Sequence, residues 1–93
     1  MAVTVALPGA LRDVRGWEPT IELQGAPTTV EEALEALGRS HPALHARIVT
    51  ERGSVRPHVN LFVGDEEIRH TGGLETPLGD RSEIVVLPSV SGG

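Results

Sequence analysis

The chain has 93 residues, which suits one domain with a single modest hydrophobic core. Its formal net charge is −5 and it has no run of basic residues, so nucleic acid and anionic membranes are excluded as expected partners. It has no cysteine, which excludes disulfides, thiolate metal sites and cysteine nucleophiles and suits the cytoplasm. We also expect no signal peptide and no membrane span, because the N-terminus lacks a basic segment and a long apolar run.

The first quarter of the chain predicts two strands. Residues 3–7 alternate apolar with small or polar side chains, which is typical of a half-buried strand. Residues 20–23 form a second short strand, so we expect an antiparallel pair joined by a loop over residues 8–18. We expect Trp17 to close that loop over the core.

A helix is predicted next. Thr29 and Glu32 have the spacing of a capping box, which marks a helix start. Gly38 is the predicted stop, and Pro42 can begin a second short helical segment. The apolar residues of the first helix share one face: Val30, Ala33, Leu34 and Leu37.

The second half of the chain predicts the remaining strands. In residues 58–63 the alternation places Phe62 on the face opposite its apolar neighbours Val59, Leu61 and Val63. Residues 64–67 predict a turn, residues 68–70 a short return strand, and residues 83–87 the last strand. A long crossover separates the first strand from the last, so we expect these two to lie centrally and parallel. The fold class is therefore α+β, a mixed sheet with one main helix packed on one face.

The sequence ends in Val90, Ser91, Gly92 and Gly93, a stretch that begins two residues after Pro88. Proline cannot donate to a sheet ladder, so the strand is expected to stop there and release a flexible tail. Glycine has no Cβ, so the tail can enter a narrow enzyme channel and leave its terminal carbonyl open to nucleophiles. The alternative is that two terminal glycines are only a linker remnant or a frayed end.

The order of elements and the diglycine end together resemble the ubiquitin-like β-grasp sulfur carriers of the ThiS and MoaD family, closest to its CysO-like branch. The resemblance is coarse over the whole chain and close over residues 58–93. It is carried by the phrases at residues 59–69 (VNLFVGDEEIR), 72–78 (GGLETPL) and 84–93 (IVVLPSVSGG). The family often has Asp-Gly-Asp before its last strand, where this chain has residues 79–83 (GDRSE).

The resemblance implies a β-grasp domain over residues 1–88 and a tail over residues 89–93. It implies that the chain is a protein co-substrate rather than an enzyme, and that it binds no cofactor itself. An E1-like adenylating sulfurtransferase would use ATP to activate Gly93, and the resulting thiocarboxylate would donate sulfur. In the CysO-like branch the acceptor would be a pyridoxal-phosphate cysteine synthase, followed by a zinc peptidase. ThiS-like or MoaD-like pathways stay open.

Two other functional classes stay open. The chain can be a ubiquitin-like modifier, in which Gly93 is joined to lysines of target proteins. It can also be an interaction module whose last residues play no part.

Three residues are predicted to contact the activating enzyme: Phe62, Leu87 and Val90. The competing interpretation places Phe62 in the core through a bulge in its strand. His41 and His45 have a helical metal-ligand spacing, but Pro42 lies between them and no third ligand is evident, so no metal site is predicted.

Overall fold

A computed structural model describes residues 3–7, 20–79 and 82–88 of the chain. Within these ranges lie five strands, two α-helices and two 3₁₀ turns. The strands are β1 (Thr4–Ala6), β2 (Thr20–Glu22), β3 (Val59–Val63), β4 (Glu66–Glu67) and β5 (Glu83–Pro88). The helices are α1 (Val30–Ser40) and α2 (Pro42–Ile48), and the 3₁₀ turns span Ile68–His70 and Gly73–Glu75.

The five strands form one mixed sheet in the order β2-β1-β5-β3-β4. β1 runs parallel to β5, and the other neighbouring pairs are antiparallel. This confirms the predicted parallel pair at the centre of the sheet. In the described part of the chain, neither helix is both long and apolar enough to cross a membrane. Trp17 and the tail over residues 89–93 lie outside the described residues, so the predictions for them are not tested.

The core lies between one face of the sheet and the two helices. Ile84 and Val86 of β5 and Leu61 of β3 point inward and are at most 1% exposed. From α1 and α2 the inward side chains include Leu37 and Leu44, which are both fully buried. The helices therefore cover one face of the sheet, called here the inner face, and confirm the α+β architecture.

The start of α1 follows the predicted capping residues with one change. The Glu32 backbone N–H donates to Thr29 Oγ1 at 3.2 Å, as a capping box requires. The Glu32 carboxylate, however, reaches past Thr29 and accepts from Thr28, at 2.8 Å from its N–H and 3.0 Å from its hydroxyl. These bonds favour the charged carboxylate, so they lower the pKa of Glu32. The bond from the Thr28 N–H contributes most and the bond from the Thr28 hydroxyl contributes less.

The predicted stop at Gly38 is wrong. α1 continues to Ser40, and it ends because His41 precedes Pro42 and adopts φ −137° and ψ 68°, outside the helical region. A methyl group at Gly38 would lie 3.2 Å from the imidazole ring of His45 in α2. Glycine therefore occupies this position because the two helices approach closely there.

The predicted return strand at Ile68–His70 is also wrong. Pairing with β3 is confined to Glu66 and Glu67, and the chain then turns into a 3₁₀ helix. The tighter turn lets Ile68 enter the core, at 3% exposure, while the next side chain, Arg69, remains exposed.

Candidate docking face and tail root

The outer face of the sheet, opposite the helices, is formed by alternate residues of the same strands. Strand pairing places Ala6 beside Val85, and Val85 beside Phe62. Leu87 follows two residues after Val85 on the same face and is 40% exposed. We call these four residues the outer cluster: Ala6, Phe62, Val85 and Leu87. Because they lie on three adjacent strands, they form one apolar patch.

All four members of the outer cluster retain contact with solvent. Phe62, Val85 and Ala6 are half-buried. Among the described residues, Leu87 is the large apolar side chain with clear solvent exposure. Apolar side chains clustered on a surface commonly mark a protein contact. The alternative in which Phe62 enters the core through a bulge is wrong, since β3 pairs with β5 in unbroken register.

Polar and charged residues surround the outer cluster. At the end of the sheet where β5 begins, Glu83, Thr4 and Glu22 lie side by side on three neighbouring strands. Beside Phe62 lies Glu67, whose carboxylate is paired with the Arg69 guanidinium. An apolar centre with a charged rim is the usual anatomy of a protein interface.

The tail root is the end of β5 at Pro88, immediately after Leu87. β5 pairs with the start of β3 here, with Leu87 opposite Asn60 and Pro88 opposite Val59. The structure therefore brings two predicted contact residues, Phe62 and Leu87, to the face that borders the tail root. The other predicted site residues lie outside the described residues, and their roles stay predictions: Val90, Ser91, Gly92 and Gly93.

Two members of the outer cluster were missed by the sequence interpretation. Val85 has the same strand parity as Leu87, so the alternation that exposes one also predicts the other. Ala6 joins the cluster because β1 pairs with β5, and its register could not be read from sequence alone.

His41 and His45, which have the spacing of metal ligands, both contact neighbouring residues of α1. The Ser40 hydroxyl and His41 Nδ1 are 2.8 Å apart, and the His45 ring lies against Gly38. Among the described residues, no three side chains of the metal-binding types come together.

Comparison with known proteins adds the functional context. The ThiS family model matches residues 5–93. The sulfur carrier protein CysO of Mycobacterium tuberculosis is 30% identical over 95 residues, covering 100% of both chains. Small archaeal modifier protein 3 of Haloferax volcanii is 37% identical over 65 residues, covering 70% of each chain.

The likeness extends to solved structures. The crystal structure of the Amycolatopsis orientalis BexX/CysO complex matches with a TM-score of 0.83 and 37% identity. The match covers 99% of this chain and 100% of the other. It confirms the ubiquitin-like β-grasp fold and the resemblance to the CysO-like branch.

Proposed function

The chain belongs to the ThiS family and is a sulfur carrier protein, and we propose that the carboxylate of Gly93 is the group that carries the sulfur. The observation that carries this proposal is the family match, which runs from β1 through the diglycine end. The chain acts as a carrier and not as a catalyst, so its own part is to present the carboxylate and to dock.

The chemistry requires activation because a carboxylate is a poor electrophile. Attack of the Gly93 carboxylate on the α-phosphate of ATP releases pyrophosphate and leaves an acyl adenylate. Hydrosulfide delivered by the activating enzyme then attacks the carbonyl carbon, AMP departs with the C–O bonding pair, and loss of the S–H proton leaves a thiocarboxylate. Covalent carriage in this way divides one difficult transfer into two easier steps. ATP and the sulfur source belong to the activating enzyme, and the chain itself binds no cofactor in this proposal.

The partner that we propose for activation is an E1-like adenylating sulfurtransferase. Docking would bury the outer cluster, with Phe62 and Leu87 as anchors and Val90 continuing the contact along the tail. The acidic rim at Glu22 and Glu83 and the net charge of −5 favour a basic surface on that partner. The activated carrier would then reach a sulfur-accepting enzyme in the cytoplasm, for which a pyridoxal-phosphate cysteine synthase, with a zinc peptidase after it, is one candidate.

The experiment is pyrophosphate exchange with the activating enzyme from the same organism. We expect deletion of Gly93 to abolish exchange without changing the melting temperature, because the residue lies beyond the last strand. Gly92→Val should also block exchange, since a β-branched side chain widens the tail and restricts its dihedral angles. Ser91→Ala is the matched control, because it changes the tail without restricting it. Unchanged exchange in the Gly93 deletion would overturn the proposal.

A second candidate function is protein modification through Gly93, and the similarity to small archaeal modifier protein 3 favours it. The same activation serves both functions, so the fate of the tail decides between them. Mass spectrometry of protein isolated from its source would show replacement of one oxygen by sulfur in a carrier. Isopeptide bonds between Gly93 and lysines of other proteins would establish the modifier, and trypsin would leave residues 82–93 (SEIVVLPSVSGG) on the modified lysine, since Arg81 is the last basic residue. The chain has no lysine, so its own side chains cannot accept such a bond.

A further inference from the structure

Among the residues that the structure describes, the part of β3 beside the tail root is paired with another strand on one side only. β5 pairs with β3 along its whole length, from Val59 to Val63. On the opposite side of β3, β4 pairs only with Phe62 and Val63. The start of β3 is therefore an open edge, and it is the segment that faces Leu87 and Pro88 in the register.

Arg69 occupies that open edge with its side chain. Its Nη2 donates to the carbonyl oxygen of Val59 at 2.9 Å, the place where a longer β4 would have paired. The same nitrogen lies 3.5 Å from the carbonyl oxygens of Arg56 and Pro57 in the preceding loop. One guanidinium thus joins the start of β3 to the loop that leads into it.

The second terminal nitrogen of Arg69 reaches the outer face. Its Nη1 donates to Asn60 Oδ1 at 2.6 Å and to the Glu67 carboxylate. Asn60 is the register partner of Leu87, and Glu67 is the register partner of Phe62. The guanidinium therefore joins the neighbours of both proposed docking anchors, as well as the backbone beside the tail root.

We propose that Arg69 is a positioning residue for activation. It holds the start of β3 in place, and because β3 pairs with β5, it also holds the tail root and the outer cluster in the arrangement that binds the activating enzyme. The inference rests on the proposed function, because it assigns a role within the same docking step. A surface whose side chains are already held in place loses less entropy on binding. Arg69 therefore favours docking without touching the reacting carboxylate.

The role requires arginine and not simply a positive charge. The guanidinium is a planar fork with five N–H donors, so it can donate to Asn60, Glu67 and the Val59 carbonyl at once. A lysine ammonium is a single point on a flexible stem and cannot span these acceptors together. Because the Arg69 side chain is 43% exposed, its loss should leave the core intact.

The test compares Arg69→Ala and Arg69→Lys with Arg52→Ala in the full-length chain. Arg52 is an exposed arginine of the same region, and its hydrogen bond to Thr50 uses only its backbone N–H, so the control removes equal charge. The first measurement is amide hydrogen exchange of the isolated proteins. The Val59 N–H donates to the Arg56 carbonyl, which also lies next to Arg69, so it reports directly on this contact. We expect about tenfold faster exchange at Val59 in both Arg69 variants and no change at the central residue Val86.

The second measurement is the steady-state dependence of pyrophosphate exchange on carrier concentration. We expect Arg69→Ala to raise KM about tenfold, equivalent to 1.4 kcal/mol, with kcat unchanged. Arg69→Lys should recover only part of that loss. In the double variant with Asn60→Ala the losses should not add, because the two side chains act through one contact.

The outcomes separate the possible failures. The inference would be overturned if the Arg69 variants had the same KM and the same amide hydrogen-exchange rates as Arg52→Ala. The inference would also be overturned if amide hydrogen exchange became faster throughout the sheet, the melting temperature fell, and Arg69→Lys restored both to wild-type values. That result would assign Arg69 a general structural role. Wild-type protein that supports no pyrophosphate exchange would instead refute the proposed function itself.

Discussion

The two faces of the sheet use the same strands for different purposes. In β5, Ile84 and Val86 point to the inner face and are 0% and 1% exposed, whereas Leu87 on the outer face is 40% exposed. The inner side chains pack on the helices and supply the burial that stabilises the fold. The outer cluster adds little to that burial, so its apolar character is better explained by a partner than by folding.

Adjacent residues of one strand therefore make the sharpest test of this comparison. We expect Val86→Glu to lower the free energy of unfolding by more than about 4 kcal/mol, because it places an unpaired charge in the core. That loss is a large share of the roughly 5–15 kcal/mol by which small domains are stable. Urea denaturation followed by circular dichroism measures it. A loss below 1 kcal/mol would mean that the inner face is less well packed than its burial indicates.

Leu87→Glu introduces the same charge one residue later, on the outer face. We expect the melting temperature to change little, while affinity for the activating enzyme falls roughly thirtyfold, or about 2 kcal/mol. The control is Ala43→Glu, which adds the same charge at an exposed position of α2. Calorimetric titration of the enzyme with each variant measures the effect. A large melting loss for Leu87→Glu, or equal weakening by the control, would contradict the assignment of the docking face.

Gly38 shows how closely the layer above the inner face is packed. Replacing a helical glycine by alanine normally gains about 1 kcal/mol of stability. Here the new methyl group would lie 3.2 Å from the His45 ring, so we expect Gly38→Ala to gain clearly less than that. In a His45→Ala background the same change should give the full gain. Equal gains in both backgrounds, measured by urea denaturation, would show that the two helices are not in tight contact at this point.

The sequence predicted the fold best where periodicity and burial agree. The alternation in β3 correctly assigned its inner and outer faces, and Phe62 and Leu87 both lie on the outer face. It failed where a long-range contact overrides a local rule. Gly38 was interpreted as a helix stop, although it is there to accommodate His45. Residues 68–70 were interpreted as a strand, although Ile68 is needed in the core.

The candidate site was predictable in a similarly uneven way. The diglycine tail is a local feature that composition reveals, whereas the outer cluster depends on the order and register of strands. Ala6 and Val85 are neighbours only because β1 and β5 pair in parallel, nearly eighty residues apart in the chain. The contacts of Arg69 depend on a turn that no local pattern indicated.

The smallest expected effect is on the pH dependence of stability, and it comes from Glu32 in α1, which packs on the inner face of the sheet. In the folded protein the hydrogen bond from the Thr28 N–H, and to a lesser extent the one from the Thr28 hydroxyl, lowers the pKa of Glu32, whereas a free glutamate titrates at about 4.3. The folded chain therefore binds this proton less readily than the unfolded chain. The stability that Glu32 contributes is fully present above the unfolded pKa and is lost as the pH falls through the folded value.

Glu32→Gln should therefore melt below the wild type at neutral pH, with a difference that shrinks as the pH falls below about 4. Glutamine keeps a carbonyl acceptor for Thr28, so the substitution removes the charge and leaves the helix start able to form. Glu31→Gln is the control, because it removes a charge from the same turn without touching these bonds. Thermal melts at a series of pH values measure the effect. A pH profile shared by both variants would show that general helix-dipole attraction, and not the contact with Thr28, stabilises the charge of Glu32. Docking through the outer face should be unaffected by either substitution, because α1 packs on the opposite side of the sheet.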